Sequence, residues 1–231
     1  MIRQYLGRLA RELDFDPSLS RRVVREVEDH LREALENDPS DDRLDAERRA
    51  VANFGSPRAL ASQFAVVSLA ALARRVGFAA VLLIGAVFIA MKARIAWYGV
   101  MPLPLAQETR ALGEIVLSID RCAFWLALAA AAAGWVYIDS RRPPEGFTRE
   151  YRRQLRRFSA LCSAATVALV VCVASDAALT LLRLIDAQWS AGFLVPVLSM
   201  AIELACAGAL ASWLRAMVRQ ASRAAHLSPA L

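Results

Sequence analysis

The sequence predicts an all-α protein in which a small helical head precedes a four-helix transmembrane bundle. Three observations carry that prediction. The chain of 231 residues is 57% hydrophobic, above the ~45–50% usual for soluble domains, yet 22% of it is charged. The two properties are segregated: residues 1–75 hold 13 Lys+Arg and 13 Asp+Glu, whereas residues 76–231 hold 15 and 9. Finally, four long apolar stretches follow Arg75, and Arg-rich segments flank them. An ordinary soluble enzyme and a disordered chain are both excluded by this balance. A pI near 9.7 often accompanies nucleic-acid binding. Here the excess arginines border apolar segments, which is a topology signal, so no direct nucleic-acid contact is expected.

The head reads as four helices with clear punctuation. Ile2, Tyr5, Leu6, Leu9 and Leu13 recur at helical spacing and give a first helix over Ile2–Leu13. Asp14-Phe15-Asp16-Pro17 breaks it, and Pro17 or Ser18 opens the second helix. Val23, Val24, Val27, Leu31, Ala34 and Leu35 form its apolar stripe. Arg22 with Glu26, Arg25 with Asp29 and Glu28 with Arg32 pair on the opposite face at i,i+4. Asn37-Asp38-Pro39-Ser40 ends that helix. A third helix over Asp42–Phe54 has Leu44, Ala50, Val51 and Phe54 as its apolar positions, and Gly55 is placed to terminate it. Ser56 then caps a fourth helix with Pro57 at its first position, contributing Leu60, Ala61, Phe64 and Ala65. That helix either continues through Arg74-Arg75 into the first span or breaks near there.

The segments "YLGRLARELDFDPSLSRRVVREVEDHLREALEN" and "AERRAVANFGSPRALASQF" carry a Tyr-Leu helix, an acidic helix with the pair His30-Leu31, an Ala-rich helix ending in Gly55-Ser56-Pro57, and a helix beginning with Leu60-Ala61. In order and spacing they resemble the HAAS-type signalling domain, also met as a permease prefix domain, over about residues 3–65. The resemblance implies a cytoplasmic helical domain fused to bacterial membrane segments, with a protein partner that is often a PadR-like transcription regulator. The chain departs from the family pattern where "NDPSDD" replaces a turn that usually holds Gly. The four-span remainder is left unassigned by the resemblance.

The spans are read as about 76–98, 115–138, 159–182 and 190–214, since a spanning helix needs ~20 mainly apolar residues. The first has only 16 uncharged residues from Val76 to Met91, so Lys92 must snorkel if it crosses. Seven arginines lie between Asp139 and Phe158. Arg74 and Arg75 precede the first span, and Arg215, Arg219 and Arg223 follow the fourth. The other two connections are poor in basic residues, so both termini are expected on the cytoplasmic side. Trp97, Trp125 and Trp189 then fall near the outer ends, and Trp135 and Trp213 near the inner ends. The first 20 residues lack an apolar core and a cleavage site, so no signal peptide is expected. Arginine supplies all but one of the 28 basic residues, which together with abundant Ala points to a GC-rich bacterial genome and an inner-membrane location.

Helix packing in lipid favours small residues. Ala201, Ala205 and Ala209 recur at intervals of four in the fourth span, and Ala129 to Ala133 with Gly134 concentrate in the second. Cys122, Cys162, Cys172 and Cys206 lie in or beside apolar stretches and read as small packing residues, with no CxxC or His/Cys spacing for zinc. No phosphate loop, GxSxG or HExxH is present, so no catalytic, cofactor or metal site is expected. His30, among Glu26, Asp29 and Glu33, is read as a packing or capping histidine, with a metal cluster as the alternative. His226 is assigned to a frayed tail.

Ionisable groups within the spans are the sharper candidates, because a charge at mid-span costs ~2.5–3.5 kcal/mol on insertion scales. At ~1.5 Å per residue, Asp176 lies ~25 Å and Lys92 ~24 Å from the inner face, which matches them as an ion pair, with a proton or ion pathway or snorkelling of Asp176 to the surface as the alternatives; Arg183 is the competing partner. Glu203 lies ~20 Å below the outer face, where no basic residue shares its depth but Tyr137 and Trp135 do, marking it as a hydrogen-bonded acid. Arg149, Arg152, Arg153, Arg156 and Arg157, interleaved with Tyr151, Leu155 and Phe158, serve as a topology signal or as lipid-headgroup contacts. Together these readings give a regulatory or scaffolding membrane protein without enzymatic activity, bound to the lipid bilayer, contacting a cytoplasmic protein and able to form a homo-oligomer. A transport-related subunit is the alternative.

Overall fold

The computed structural model describes residues 1–39, 42–101, 110–185 and 191–227. Every regular element among them is helical: α1 (Ile2–Glu12), α2 (Pro17–Glu36), α3 (Arg43–Phe54), α4 (Pro57–Val100), α5 (Arg110–Asp139), α6 (Arg149–Ile185) and α7 (Leu194–Arg223). Short 3-10 turns cover Ala191–Phe193 and Ala224–Leu227. The expectations for Trp189 and for the first residue of the fourth span, Ser190, fall outside the described residues.

Local chemistry sets the helix ends. Asp16 caps α2: its Oδ1 accepts from the backbone N–H of Ser18 and of Leu19, each at 3.1 Å, while Pro17 opens the helix. Asp42 caps α3 by accepting from the N–H of Leu44 at 2.8 Å. Gly55 ends α3 at φ 77, a left-handed conformation that a Cβ would strain. The Ser56 hydroxyl then accepts from the N–H of Ala59 at 3.2 Å, and α4 runs from Pro57 to Val100 without a break.

The chain divides into two compact units. The first comprises Met1–Leu72, Arg142–Arg156 and Met217–Leu231. Its core joins Leu9, Leu13, Leu19, Val23, Val27 and Leu31 with Ala61, Ala65 and Leu69, and with Phe147, Tyr151, Leu155, Met217 and Leu227. A head over residues 1–72 followed by a bundle over 73–231, as the sequence pattern predicts, differs from this division. The difference has a physical cause. Residues 142–156 and 217–227 carry apolar side chains that are buried within this unit, and the Phe147 N–H donates to the Ser62 hydroxyl at 2.7 Å. Two stripe positions also differ from expectation: Ala34 and Leu44 are exposed, and Ala46 with Ala50 form the buried face of α3.

The second unit comprises Ala73–Arg141 and Arg157–Ala216. It contains the apolar parts of α4 to α7, the four helices long and apolar enough to cross a membrane. Its core is built from small residues: Ala80, Ala123, Ala127, Ala131, Ala165, Cys172, Cys206 and Ala207, filled by Ile84, Val87, Leu169 and Leu210. A Cβ on Gly77 would lie 3.3 Å from the Trp135 Cα, so α4 and α5 approach backbone to backbone there. The expected face of α7 is not used, since Ala201 and Ala205 are exposed.

Candidate functional site

Helix phase selects which charged groups enter the bundle. The buried positions of α4 run Ala80, Ile84, Val87, Ala90, Arg94. At 3.6 residues per turn, Arg94 lies about 20° from Val87 around the helix axis, while Lys92 lies about 140° away. Accordingly Arg94 is 2% exposed. Lys92 is exposed, with its ammonium 5.3 Å from the Phe88 ring centroid. In α5 the packed series Asp120, Ala123, Ala127, Ala131, Gly134 carries Asp120 inward, 2% exposed. In α7 the series Pro196, Ser199, Glu203, Cys206, Leu210 does the same for Glu203, which is fully buried.

These helices bring the charges together around one guanidinium. Arg94 Nη2 donates to Asp176 Oδ2 of α6 and lies 3.1 Å from Glu203 Oε1 of α7. Glu203 Oε1 is 2.8 Å from the Ser199 hydroxyl, one turn earlier in the same helix. Ser199 Oγ also lies 3.0 Å from the Ala90 carbonyl oxygen of α4. Asp120 adds a third carboxylate within the electrostatic reach of Arg94 and Asp176, beside the Cys172 thiol. Arg94 Nη1, Asp120 Oδ1 and Glu203 Oε2 are buried without a hydrogen-bond partner.

The pairing expected from depth is therefore replaced. Asp176 is bound to Arg94, not to Lys92, and the competing Arg183 stacks over the Tyr98 ring at 4.3 Å. Glu203, expected to lack a basic neighbour, has the same arginine beside it. Equal depth is a necessary condition for a pair, but the direction each side chain faces decides between two cations in adjacent turns. The spacing of Arg94 from Val87 was the available signal.

The remaining candidates are placed more plainly. In the first unit, Arg149 and Arg153 at the start of α6 are exposed and Arg152 is half-buried. Tyr151 and Leu155 of the same turns are buried, and the Tyr151 hydroxyl donates to the Val66 carbonyl at 3.3 Å. Arg156 and Arg157 are also exposed. His30 is on the exposed face of α2, 3.7 Å from Glu33, and neither packs nor caps. His226 is not in a frayed segment. It belongs to the 3-10 turn Ala224–Leu227, its Nε2 lies 3.2 Å from Glu12, and its carbonyl accepts from Arg58 at 2.6 Å.

One polar network of the first unit was missed from sequence. Asp16 Oδ2 accepts from the Ser68 hydroxyl and from the Gln220 amide, each at 3.1 Å. Burial alone would raise the Asp16 carboxyl, but its hydrogen bonds from Leu19, Ser18 and Ser68 outweigh that and hold it below the ordinary carboxylate value. The same unit presents a groove of about 440 Å³ between α1 and the α3–α4 junction, bordered by Gln4, Tyr5, Arg8, Val51 and Pro57. The Tyr5 hydroxyl is buried without a hydrogen-bond partner.

Residues 4–63, covering most of α1, all of α2 and α3 and the first turns of α4, match the family model described as HAAS. No curated protein and no solved structure matches the chain. The HAAS match suggests a regulatory protein-interaction module, and the four long apolar helices fit a membrane protein.

Proposed function

We propose that this is a regulatory or scaffolding protein of the bacterial inner membrane, in which a cytoplasmic HAAS-type head makes a protein contact and a four-helix bundle anchors it. The carrying observation is that one chain joins a HAAS match over residues 4–63 to four helices long and apolar enough to span a bilayer. The topology has independent support. Segments 1–72, 142–156 and 217–231 form one compact unit, and a bilayer crossed an even number of times between them leaves all three on the same face. Arg-rich flanks put that face in the cytoplasm. The partner is a cytoplasmic regulator of PadR-like type, and no catalytic chemistry is assigned to the chain.

The test is photocrosslinking of the full-length protein in its own membranes, with the crosslinker at Gln4 or Arg8, two exposed residues beside the head groove. A crosslinked PadR-like regulator supports the reading. A crosslinked ABC ATPase would instead support a transport-associated subunit, which the convergence of Asp176 and Glu203 on Arg94 also favours. Reporter fusions at Pro144 and at Leu231 should both report cytoplasm.

A further inference from the structure

The intramembrane cluster holds more acid than base. Three carboxyl groups, Asp120, Asp176 and Glu203, surround the Arg94 guanidinium. Four helices deliver them, one side chain from each. Fully ionised, the group would carry two uncompensated negative charges inside an apolar bundle, and each unpaired charge at mid-span costs ~2.5–3.5 kcal/mol on insertion scales. Charge alone therefore calls for protons, and the hydrogen-bond geometry says where one sits.

Ser199 Oγ is 3.0 Å from the Ala90 carbonyl oxygen and 2.8 Å from Glu203 Oε1. A hydroxyl has one proton to donate, and a carbonyl oxygen can only accept. If Ser199 donates to Ala90, the short contact to Glu203 needs its hydrogen from the carboxyl. If Glu203 is ionised, Ser199 must turn to it, and its oxygen then meets the Ala90 carbonyl lone pair to lone pair at 3.0 Å, leaving that carbonyl with the N–H of its own helix alone. The buried Oε2 of Glu203 without a partner also fits a neutral carboxyl, since an ionised one would leave a charged oxygen bare. Arg94 Nη2 donates to Asp176, the ionic half of the cluster, and also lies 3.1 Å from Glu203 Oε1, which can accept from it as a neutral carboxyl oxygen while its hydrogen goes to Ser199.

We infer that Glu203 is an exchangeable proton-binding site inside the bundle, loaded when Ser199 bridges α7 to the Ala90 carbonyl of α4. On release, the Glu203 O–H bond breaks and the proton passes to water. The electron pair stays on the carboxylate, and the Ser199 hydroxyl rotates from Ala90 to Glu203. Loss of the proton thus removes one α7–α4 hydrogen bond and strengthens the attraction of α7 to Arg94. Asp176, with a side chain 14% exposed against 1% for Glu203, is the more exposed of the two. The other titratable or charged groups facing the site are Arg94 from α4, Asp120 from α5, Cys172 and Arg183 from α6, and Cys206 from α7. The carboxyls meet a guanidinium and not an open coordination site: no group of three His, Cys, Asp or Glu among the described residues is arranged to hold a metal ion. That geometry favours a proton over a divalent cation as the occupant.

Infrared spectroscopy of the full-length protein in lipid nanodiscs, recorded as pH is raised, tests this. The expected result is a protonated-carboxyl carbonyl band that disappears with rising pH and is absent from Glu203→Gln, separate from any band of the buried Asp120, which Asp120→Asn removes. Asp176→Asn should also abolish it at neutral pH, because Arg94 is then free to pair with an ionised Glu203. Asp139→Asn, an exposed acid, should leave it unchanged. A wild type without such a band, or a Glu203→Gln variant that keeps every carboxyl band of the wild type, would overturn the assignment. So would loss of the band on adding sodium at fixed pH, which would mark a site for a monovalent metal ion. Should the glutamine variant fail to fold, Ser199→Ala decides: loss of the hydroxyl acceptor must shift the band, and an unmoved band refutes the contact.

Discussion

Arg94 lies two positions after Lys92, and the α4 helix turns about 200° between them. That rotation leaves one cation over Phe88 at the bundle surface and places the other among three acids. Arg94→Met strands Asp120, Asp176 and Glu203 together, so it should destabilise the protein in detergent by about 3 kcal/mol, the usual scale for breaking a buried ion pair. Adding Asp176→Asn should restore part of the loss, with a coupling on the order of 1 kcal/mol, since side-chain bonds within membranes are modest. Lys92→Met should be near neutral and additive with Asp176→Asn. A Lys92 effect as large as that of Arg94 would return the pair to the residues that depth alone selects. Residue counting gave the shared depth of Asp176 and the Lys92–Arg94 turn, but it misplaced Glu203 at the level of Trp135 and Tyr137, whereas Glu203 meets the same Arg94 atom as Asp176. Facing was legible in principle, through the series from Ala80 to Arg94, and it outranks depth. Asp16 is a different residue-scale case. It resembled a helix breaker, yet its second carboxylate oxygen holds Ser68 and Gln220, more than 50 and 200 residues away in sequence, which no local pattern encodes. With its folded value below the ordinary one, its stabilising contribution is complete above the unfolded carboxylate value and is lost as pH falls through the folded value. Asp16→Asn keeps a capping oxygen but not the charge. Hydrogen exchange of α1 and α2 should therefore show a smaller difference between pH 3 and pH 6 in that variant than in wild type. An Asp16→Ala cap loss should cost about 1 kcal/mol.

At the scale of elements, two helices offered small residues, Ala129 to Ala133 with Gly134 in α5 and Ala201, Ala205 and Ala209 in α7; of the first set Ala131 and Gly134 are buried while Ala129 and Ala133 are exposed. Ala123, Ala127, Ala131 and Gly134 of α5 are buried, whereas Ala201 and Ala205 of α7 are exposed. The i,i+4 spacing alone does not distinguish them. The polar residues do, because a helix in lipid turns its ionisable groups inward. In α7 the inward face is set by Ser199 and Glu203, and Ala201 and Ala205 lie about 160° from Glu203 around the axis. In α5 the inward face is set by Asp120, and Ala127 and Ala131 follow it at seven and eleven residues. In α4, where Lys92 and Arg94 compete, that rule does not choose, and the buried series Ala80, Ile84, Val87 and Ala90 selects Arg94. Ala127→Leu should therefore overpack the second unit and cost about 1–3 kcal/mol. Ala205→Leu should leave the thermal midpoint of the protein in detergent nearly unchanged. The reverse ranking would mean that α7 packs through its alanines. For the helices of the first unit, caps and stripes were enough: α1, α2 and α3 lie within one residue of their expected ends. Where the reading failed, at Ala34 and Leu44, the stripe was extended by residue type into a turn that the rest of the unit does not cover.

At the scale of the whole molecule, the informative fact is how the first unit is assembled. Its 72-residue N-terminal part matches the span of a small helical domain, and domains of that size are marginal in stability. Phe147 and Tyr151, which meet edge to face at 5.8 Å, and Leu155 and Met217 complete its core from far along the chain. The sequence marked 142–156 through its arginines as a positive connection, but its aromatic residues gave no indication of the surface they cover, because that surface comes from residues 58 to 72. This assembly requires residues 1–72 and 142–156 to share one face of the membrane. Ser62 and Gly146 give a direct test, since a Cβ on Gly146 would lie 3.4 Å from the Ser62 hydroxyl oxygen. In a Cys122→Ser background, which removes the exposed native cysteine, Ser62→Cys with Gly146→Cys should form an intramolecular disulfide on mild oxidation in intact membranes. Cleavage of the chain between the two positions would then leave the fragments joined until reductant is added. A topology with 142–156 in the opposite compartment allows no such link at any oxidant concentration. Fragments that separate without reductant would therefore reject the shared face and, with it, the four-span arrangement on which the cytoplasmic head depends.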